Sequence, residues 1–491
     1  MIAVVVSIAT FMEVLDTTIA NVALRNIGGS LGADQQESTW ILTSYLVSNA
    51  IVLPVSGWLA NMIGRKRFYM ICVGLFTASS LLCAMSTSLG MMLFARVLQG
   101  IGGGGMAPTE QSMFADTFPP EKRAQAFALY GLTVVSAPAI GPVLGGWLTD
   151  NLSWHWVFLI NLPVGLLSLT LVGLLVVEPE VLQRERRALL AKGLNIDVVG
   201  LMLVVLGFGA LQILLDRYEQ DDGFSSGFIT ALAVLSAGSL LTLIVWELFH
   251  PRPVVDVRLL GHRGFGTCCL LMFVTGFLLI STTQLLPQLA QSLLGYSATA
   301  SGETLAVGGI ATLFLMPVAG LVTGRLIQPK WLILMAVVGM GWSLLAASSL
   351  SLNVSFWTLS TARMSQVVWL PFLFIPISAV SYVGLPANRN NEASALINLM
   401  RNLGGSVGVS FVTTLLAERT QFHHARLAEH ITAYNGYGWN TPLGSVNALV
   451  QAQASIMSYL DVFWLLGLLA LIVAPVILLL PRVPKGTAAG H

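Results

Sequence analysis

Long apolar runs separated by short polar breaks fill the chain from its second residue to about residue 480. A helix that crosses a hydrocarbon core about 30 Å thick needs about 20 mostly apolar residues. Fourteen stretches have that character: 2–24, 39–62, 68–87, 89–114, 124–149, 157–178, 197–216, 226–249, 265–287, 299–323, 331–350, 357–384, 393–416 and 457–480. The pattern predicts an all-α membrane protein of fourteen spans, and an even count puts both termini on one side. The first run, Ile2-Ala3-Val4-Val5-Val6, lacks the basic leader and small-residue cleavage site of a signal peptide. Glu13 and Asp16 interrupt it, so it reads as a first span, short of a cytoplasmic leader.

Composition points the same way. Of 491 residues, 55% are hydrophobic and 10% charged, against about 25% charged in a soluble domain. So little charge cannot cover a water-facing surface. A net charge of +1 offers no basic patch for nucleic acid. The four cysteines, Cys72, Cys83, Cys268 and Cys269, lie inside apolar runs without CxxC or Cys/His spacing, so neither a metal site nor a disulfide framework is expected.

Basic residues orient the chain. Loops after even-numbered spans and the tail hold seventeen of the 24, among them Arg65, Lys66, Arg67, Lys122, Arg123, Lys192, Arg325, Arg389, Arg482 and Lys485. Loops after odd-numbered spans hold four, Arg25, Arg217, Arg419 and Arg426. By the positive-inside rule both termini are expected in the cytoplasm. Trp40, Trp147, Trp154, Trp156, Trp331, Trp357 and Trp464 at span ends suit an interfacial belt.

An internal echo divides the chain. Arg96-x-x-Gln99 opens span four and Arg363-x-x-Gln366 opens span twelve, each span preceding a short polar loop (Pro119 to Arg123, and Asn388 to Asn391). Gly57 to Arg67 closes span two, and Gly320 to Arg325 closes span ten. Spans one to six thus correspond to nine to fourteen. The division is a six-helix bundle at 1–178, two extra helices at 179–264, a second bundle at 265–481 and a tail at 482–491. Two related halves around a midplane site is an architecture of alternating access.

Charges at membrane depth are candidates for function, since each costs about 2.5–3.5 kcal/mol on insertion scales. Glu13 and Asp16, three apart, share one helical face. Their repulsion and lost hydration both favour a bound proton on one of them, so they are candidate proton carriers facing the space between the halves. The other reading is a pair of interfacial helix-end acids. Arg96 is the candidate counter-charge for a span-one carboxylate, or else part of a static bridge, with Arg363 and Arg401 as its mirrors. Glu110, near Pro108, is a second protonation candidate. Glu303 reads equally as interfacial. Asp116, Asp216, Glu247 and Asp461 fall at span ends and read as caps. In span five, Pro138 and Pro142 favour kinks. Gly141 and Gly145 have the spacing of close helix approach, expected here at a rocking interface between halves. Gly102 to Gly105 lacks the Gly-Lys-Ser/Thr of a phosphate loop, so no cofactor is expected and an ion gradient is the expected energy source.

The run Gly57-Trp-Leu-Ala-Asn61-Met-Ile-Gly64-Arg65-Lys66-Arg67 resembles the loop signature of the major facilitator superfamily. Leu15-Asp16-Thr17-Thr18-Ile19-Ala20-Asn21-Val22-Ala23 resembles the first-span motif of its fourteen-span drug:proton antiporters, of EmrB/QacA type. Arg96-x-x-Gln99-Gly100 and the span-five run resemble the coupling and antiporter motifs. Leu211 to Arg217, Val254-Val255-Asp256 and His423-His424-Ala425 are similar to the EmrB branch.

The resemblance covers nearly the whole chain. It implies proton-driven export of lipophilic compounds across a bacterial inner membrane, together with a periplasmic membrane-fusion adaptor and an outer-membrane channel. A proton-coupled transporter of one small metabolite has the same fold and is the alternative. No Ser/His/Asp, HExxH or carboxylate-metal pattern supports an enzyme. The chain departs from the loop signature at Asn61, where an acid is usual, so the cytoplasmic latch is expected to be weaker or built elsewhere. The loop 417–456 is a candidate adaptor surface, or else a solvated loop without a partner, and its 417–430 stretch a polar helical extension. A cavity is expected between spans 1, 2, 4, 5, 9, 10, 12 and 13, with Asn49, Gln111, Gln284, Gln366, Trp369, Asn398 and Asn402 as candidate lining.

Overall fold

The computed structural model describes residues 2–177, 183–184, 186–187, 191, 197–251, 253–323, 326–352, 354–386, 389–431 and 443–481. Lys192, Arg325 and Asn388, the 432–442 part of the long loop and the tail 482–491 lie outside the described residues, as does the side chain of Pro142. The first bundle comprises α1 (Ile2–Ser30), α2 (Gln35–Ile63), α3 (Arg65–Ala84), α4 (Leu89–Thr117), α5 (Pro120–Asn151) and a span broken into α6 (His155–Leu159) and α7 (Asn161–Leu175). Two further helices follow, α8 (Val198–Arg217) and α9 (Gly227–Phe249). The second bundle comprises α10 (Arg263–Ser292), α11 (Ala298–Val322), α12 (Pro329–Ala347), a second broken span of α13 (Phe356–Val367) and α14 (Leu370–Val380), α15 (Asn390–Glu429) and α16 (Leu443–Val473).

Local chemistry fixes the ends. Asp34 caps α2 by accepting from the Glu37 amide while the Glu37 side chain accepts from the Asp34 amide, a reciprocal box. Gly64 separates α2 from α3 at φ +99°, a conformation that favours glycine. Pro371 stands in the first turn of α14, where its missing N–H costs nothing.

By length and hydropathy eleven helical stretches among the described residues qualify as membrane spans, and the bent α5 makes twelve. The two remaining long helices, α4 and α15, are diluted by Arg96, Gln99, Glu110 and Gln111 in one and by Asn390, Asn391, Glu392, Asn398, Arg401 and Asn402 in the other. α4 is buried over most of its length and α15 packs against α2, α4, α8, α10 and α16, so polarity that disqualifies them as lipid-facing rods is what packing among other helices permits.

The halves meet where α5 lies on α11 and α2 on α15, while α8 packs against α2 and α15. Glycines set the closest approaches. A Cβ on Gly276 would stand 2.1 Å from the Arg401 carbonyl oxygen, and one on Gly404 2.0 Å from that of Phe273, so α10 and α15 touch backbone to backbone. Gly141 and Gly145 correct the expectation made for them. A Cβ there would meet Thr18 Oγ1 at 2.1 Å and Ile19 Cγ2 at 2.9 Å, so they seat α5 on α1 within one half. The inter-half contact of α5 is made elsewhere, with Gly320 of α11 against Ala124, Gln125 and Ala128.

Candidate functional site

Between the halves lies a cavity of about 710 Å³. Its walls come from α1, α2, α4, α5, α10, α11, α13, α14 and α15, the spans expected from the repeat, and from α8, which was not expected. It reaches from Ala107, Leu370 and Arg401 at depth to Asn21, Leu24, Thr39, Glu219 and Gln220 at the end carrying the α1–α2 loop. Asn49, Gln284 and Asn402 line it. Gln111 and Asn398 do not, because they satisfy each other across the half interface, Asn398 Nδ2 donating to Gln111 Oε1 at 2.9 Å. Trp369 is turned away toward α12, its Nε1 donating to Ser343 Oγ at 3.2 Å over Gly339. Gln366 is wholly buried off the cavity, and among the described residues neither of its polar atoms has a hydrogen-bond partner.

The opposite end, carrying the α2–α3 loop, is shut by polar contacts between α2, α4 and α15. Asn61 Nδ2 donates to Glu392 Oε1 at 3.2 Å, Asn391 Nδ2 donates to Asn61 Oδ1, and Asn390 Nδ2 donates to Asp116 Oδ1 at 2.8 Å. Arg65 pairs with Asp116, and a Cβ on Gly57 would stand 2.8 Å from the Asn391 carbonyl oxygen. The acid missing at position 61 is supplied by Glu392, at the start of α15. Arg389 adds an ion pair to Asp256, tying α15 to the segment that leads out of α9. Asp116 is therefore a latch residue rather than a cap. Likewise Asp216 accepts from Thr43 and lines the cavity, Glu247 is fully buried and accepts from the Val255 amide, and Asp461 pairs with His423.

Glu13 and Asp16 occupy different surroundings. Glu13 lines the cavity and accepts from Asn49 Nδ2 at 3.2 Å and Tyr45 OH at 3.4 Å, while its Oε2 has no partner among the described residues. Asp16, expected to face the space between the halves, is fully buried inside the first bundle and absent from the cavity wall. It accepts from Arg96 Nη1 at 2.7 Å, Gln99 Nε2 at 3.0 Å and Asn161 Nδ2 at 2.6 Å. Three donors, one a cation, offset the lost hydration of a buried carboxylate. Arg96 is equally enclosed. It donates to the Ile41 carbonyl at 3.1 Å and to Gln99 Oε1 at 2.6 Å, with the Tyr45 ring 4.6 Å from its guanidinium carbon. Tyr45 thus joins the two acids, its hydroxyl on Glu13 and its face on Arg96. Glu110 is held separately by the hydroxyls of Ser7 and Thr10. Sequence reading did not single out Tyr45, Asn161 or Glu392. Of these only Glu392 carried a signal, an acid in the first turn of a helix.

In the second half Arg363 occupies the place of Arg96 in the repeat and also lines the cavity. Its Nη1 and Nη2 donate to Thr282 Oγ1 at 3.0 Å and Thr283 Oγ1 at 2.7 Å. Arg401 lines the cavity as well, its Nη1 donating to Tyr130 OH at 2.9 Å.

The family model described as Major Facilitator Superfamily matches residues 6–409. The chain is 35% identical over 486 residues to the multidrug export protein EmrB of Haemophilus influenzae, covering 95% of this chain and 93% of that protein. It is 33% identical to the fatty acid resistance protein FarB of Neisseria gonorrhoeae, covering 99% and 96%. Among solved structures, the proton:xylose symporter XylE superposes with a TM-score of 0.61 at 16% identity, covering 98% of this chain and 95% of that one. With a family match across most of its length and extended identity to EmrB, the chain belongs to the major facilitator superfamily, among its EmrB-type multidrug export transporters.

Proposed function

We propose that this multi-pass membrane protein exports lipophilic compounds in exchange for protons by alternating access. The observation that carries the reading is the cavity itself, open between the halves at one end and shut at the other by the Asn61, Arg65, Asp116 and Glu392 contacts. The shut end bears Arg65, Lys66 and Arg67, so the positive-inside rule makes it cytoplasmic and the conformation outward-facing. In this scheme α4 and α15 complete fourteen spans, both termini are cytoplasmic and the membrane is the bacterial inner membrane.

Glu13 takes up a proton from the open cavity, and Tyr45 and Asn49 connect it to the buried Asp16–Arg96 pair. Protonation of Asp16 cancels its charge and frees Arg96, which loosens α1 from α4 and lets the first bundle turn over the second. Deprotonation on the cytoplasmic side restores the pair. The proton gradient drives the cycle, each proton moved being worth about 2.3 kcal/mol per 100 mV. Beyond the span, α15 continues to Glu429, where His423 pairs with Asp461 of α16 at 2.8 Å and His424 meets Asn447. This double-helical projection is the proposed dock for a periplasmic adaptor, which an outer-membrane channel would complete.

Everted vesicles test the scheme. Adding a lipophilic toxin should release protons from the vesicle lumen in step with toxin uptake. Gradient-driven accumulation of a sugar or other metabolite by whole cells, with no toxin-coupled proton flux in vesicles, would replace export by symport.

A further inference from the structure

Arg363 is a buried cation, 5% exposed, and among the described residues no carboxylate lies within ion-pair distance of it. Among the described residues its two hydrogen-bond partners are hydroxyls whose own protons are committed elsewhere. Thr282 Oγ1 donates to the Leu278 carbonyl at 2.8 Å, and Thr283 Oγ1 to that of Leu279 at 2.7 Å. Both oxygens therefore turn lone pairs toward the guanidinium and hold it in one orientation without neutralising it. Arginine carries five N–H donors, so three remain. The second cation, Arg401, is anchored to Tyr130 through one nitrogen and faces the same cavity. On the wall, Asp216 and Glu219 stand toward the mouth, and Glu13 is the acid at depth, engaged by Asn49 and Tyr45. On the helices that carry Arg363 and its partners, and on the neighbouring α11 and α14, the lining adds apolar Leu279, Leu305, Val367 and Leu370 and the neutral amide of Gln284.

We propose that Arg363, seconded by Arg401, forms an anion subsite, and that the transported compounds it selects are amphiphilic monoanions with a carboxylate or sulfonate head and an aliphatic or aryl body. A guanidinium held by its neutral partners presents a planar fork that matches two oxygens of such a head. A cation left without a counter-ion in an apolar wall gains more from an incoming anion than from one already present in water. The body then lies against the leucines and Val367. This proposal rests on the export reading of the cavity.

The test uses permanently charged probes of equal chain length, decane-1-sulfonate and decyltrimethylammonium, with purified protein in lipid nanodiscs and no gradient. The sulfonate should bind at least about tenfold more tightly. Arg363→Gln should weaken sulfonate binding about tenfold or more and change ammonium binding less than about twofold, with Arg363→Lys between, each tenfold step being about 1.4 kcal/mol. Equal binding of the two probes by the unaltered protein overturns the subsite, whether or not the variants fold. So does unchanged sulfonate binding by a folded Arg363→Gln. Loss of probe selectivity alongside intact toxin-coupled proton flux sinks the subsite alone. Absence of coupled flux in the unaltered protein sinks the export reading instead.

Discussion

Arg96 and Arg363 begin the same Arg-x-x-Gln signature in corresponding spans, yet their neighbours make them different devices. In the first half, α1 supplies Asp16, and Gln99 closes the ring by bonding both Asp16 and Arg96. In the second half, α10 supplies Thr282 and Thr283, and Gln366 is buried without a hydrogen-bond partner among the described residues. One arginine is sealed with its acid behind the cavity wall, and the other lies on the wall without one. A repeated helix therefore fixes where a cation sits, whereas the helix it packs on decides whether that cation is spent internally or offered to a ligand.

The comparison can be broken at several points. The largest effect is expected from Asp16→Asn, which should lower proton-coupled export about 100-fold or more, because removing one partner of a buried ion pair costs about 3–5 kcal/mol. Toxin-driven proton flux in vesicles measures it, with membrane insertion checked separately. Thr283→Asp would give Arg363 a resident counter-ion like that of Arg96. Transport of organic anions should fall about tenfold while that of cations is spared, as a filled fork has no donors to offer. The paired glutamines come next. Gln99→Ala, which strips a bond from both Asp16 and Arg96, should cost about fivefold in coupled flux, a hydrogen bond to a charged group being worth about 1.5–3 kcal/mol before relaxation. Gln366→Ala, which removes atoms without a hydrogen-bond partner among the described residues, should leave flux within about twofold. A modest effect is expected at the shared latch. Asn61→Ala should raise cytoplasmic labelling of a cysteine placed at Gln111 about threefold, consistent with about 1 kcal/mol for a neutral hydrogen-bonded contact.

Much of the fold was legible because lipid imposes one simple demand, a run of apolar residues long enough to span. The repeat was legible because Arg96 and Arg363 break that demand in the same way. The site was harder. Asp16 and Arg96 announced themselves as charges at depth, but which of Glu13 and Asp16 faces the cavity depends on the rotation of α1 about its axis, which three residues of spacing do not reveal. Gln111, Asn398 and Trp369 were read as lining because polarity at depth suggests a ligand, whereas the first two satisfy each other between halves and the third bonds Ser343. Gln366 followed the same logic and is buried with no hydrogen-bond partner among the described residues. Asn161 became visible only through packing, beneath Asp16, and the first-turn acid Glu392 showed its role only once it met Asn61. The role of α8 in the wall had no sequence signal, since its Gln212 meets Ser406 of α15 only after the halves assemble.

The 40 residues of α15 form one unbroken helix, a rod about 60 Å long at 1.5 Å per residue. Its inner tip carries Asn390, Asn391 and Glu392, and its outer tip reaches past His423. When the inner tip lets go, the far end must swing with it, as a tiller turns with its rudder. Whatever grips that far tip would then sense which end of the cavity is open, and a stiff enough grip would slow the turn itself.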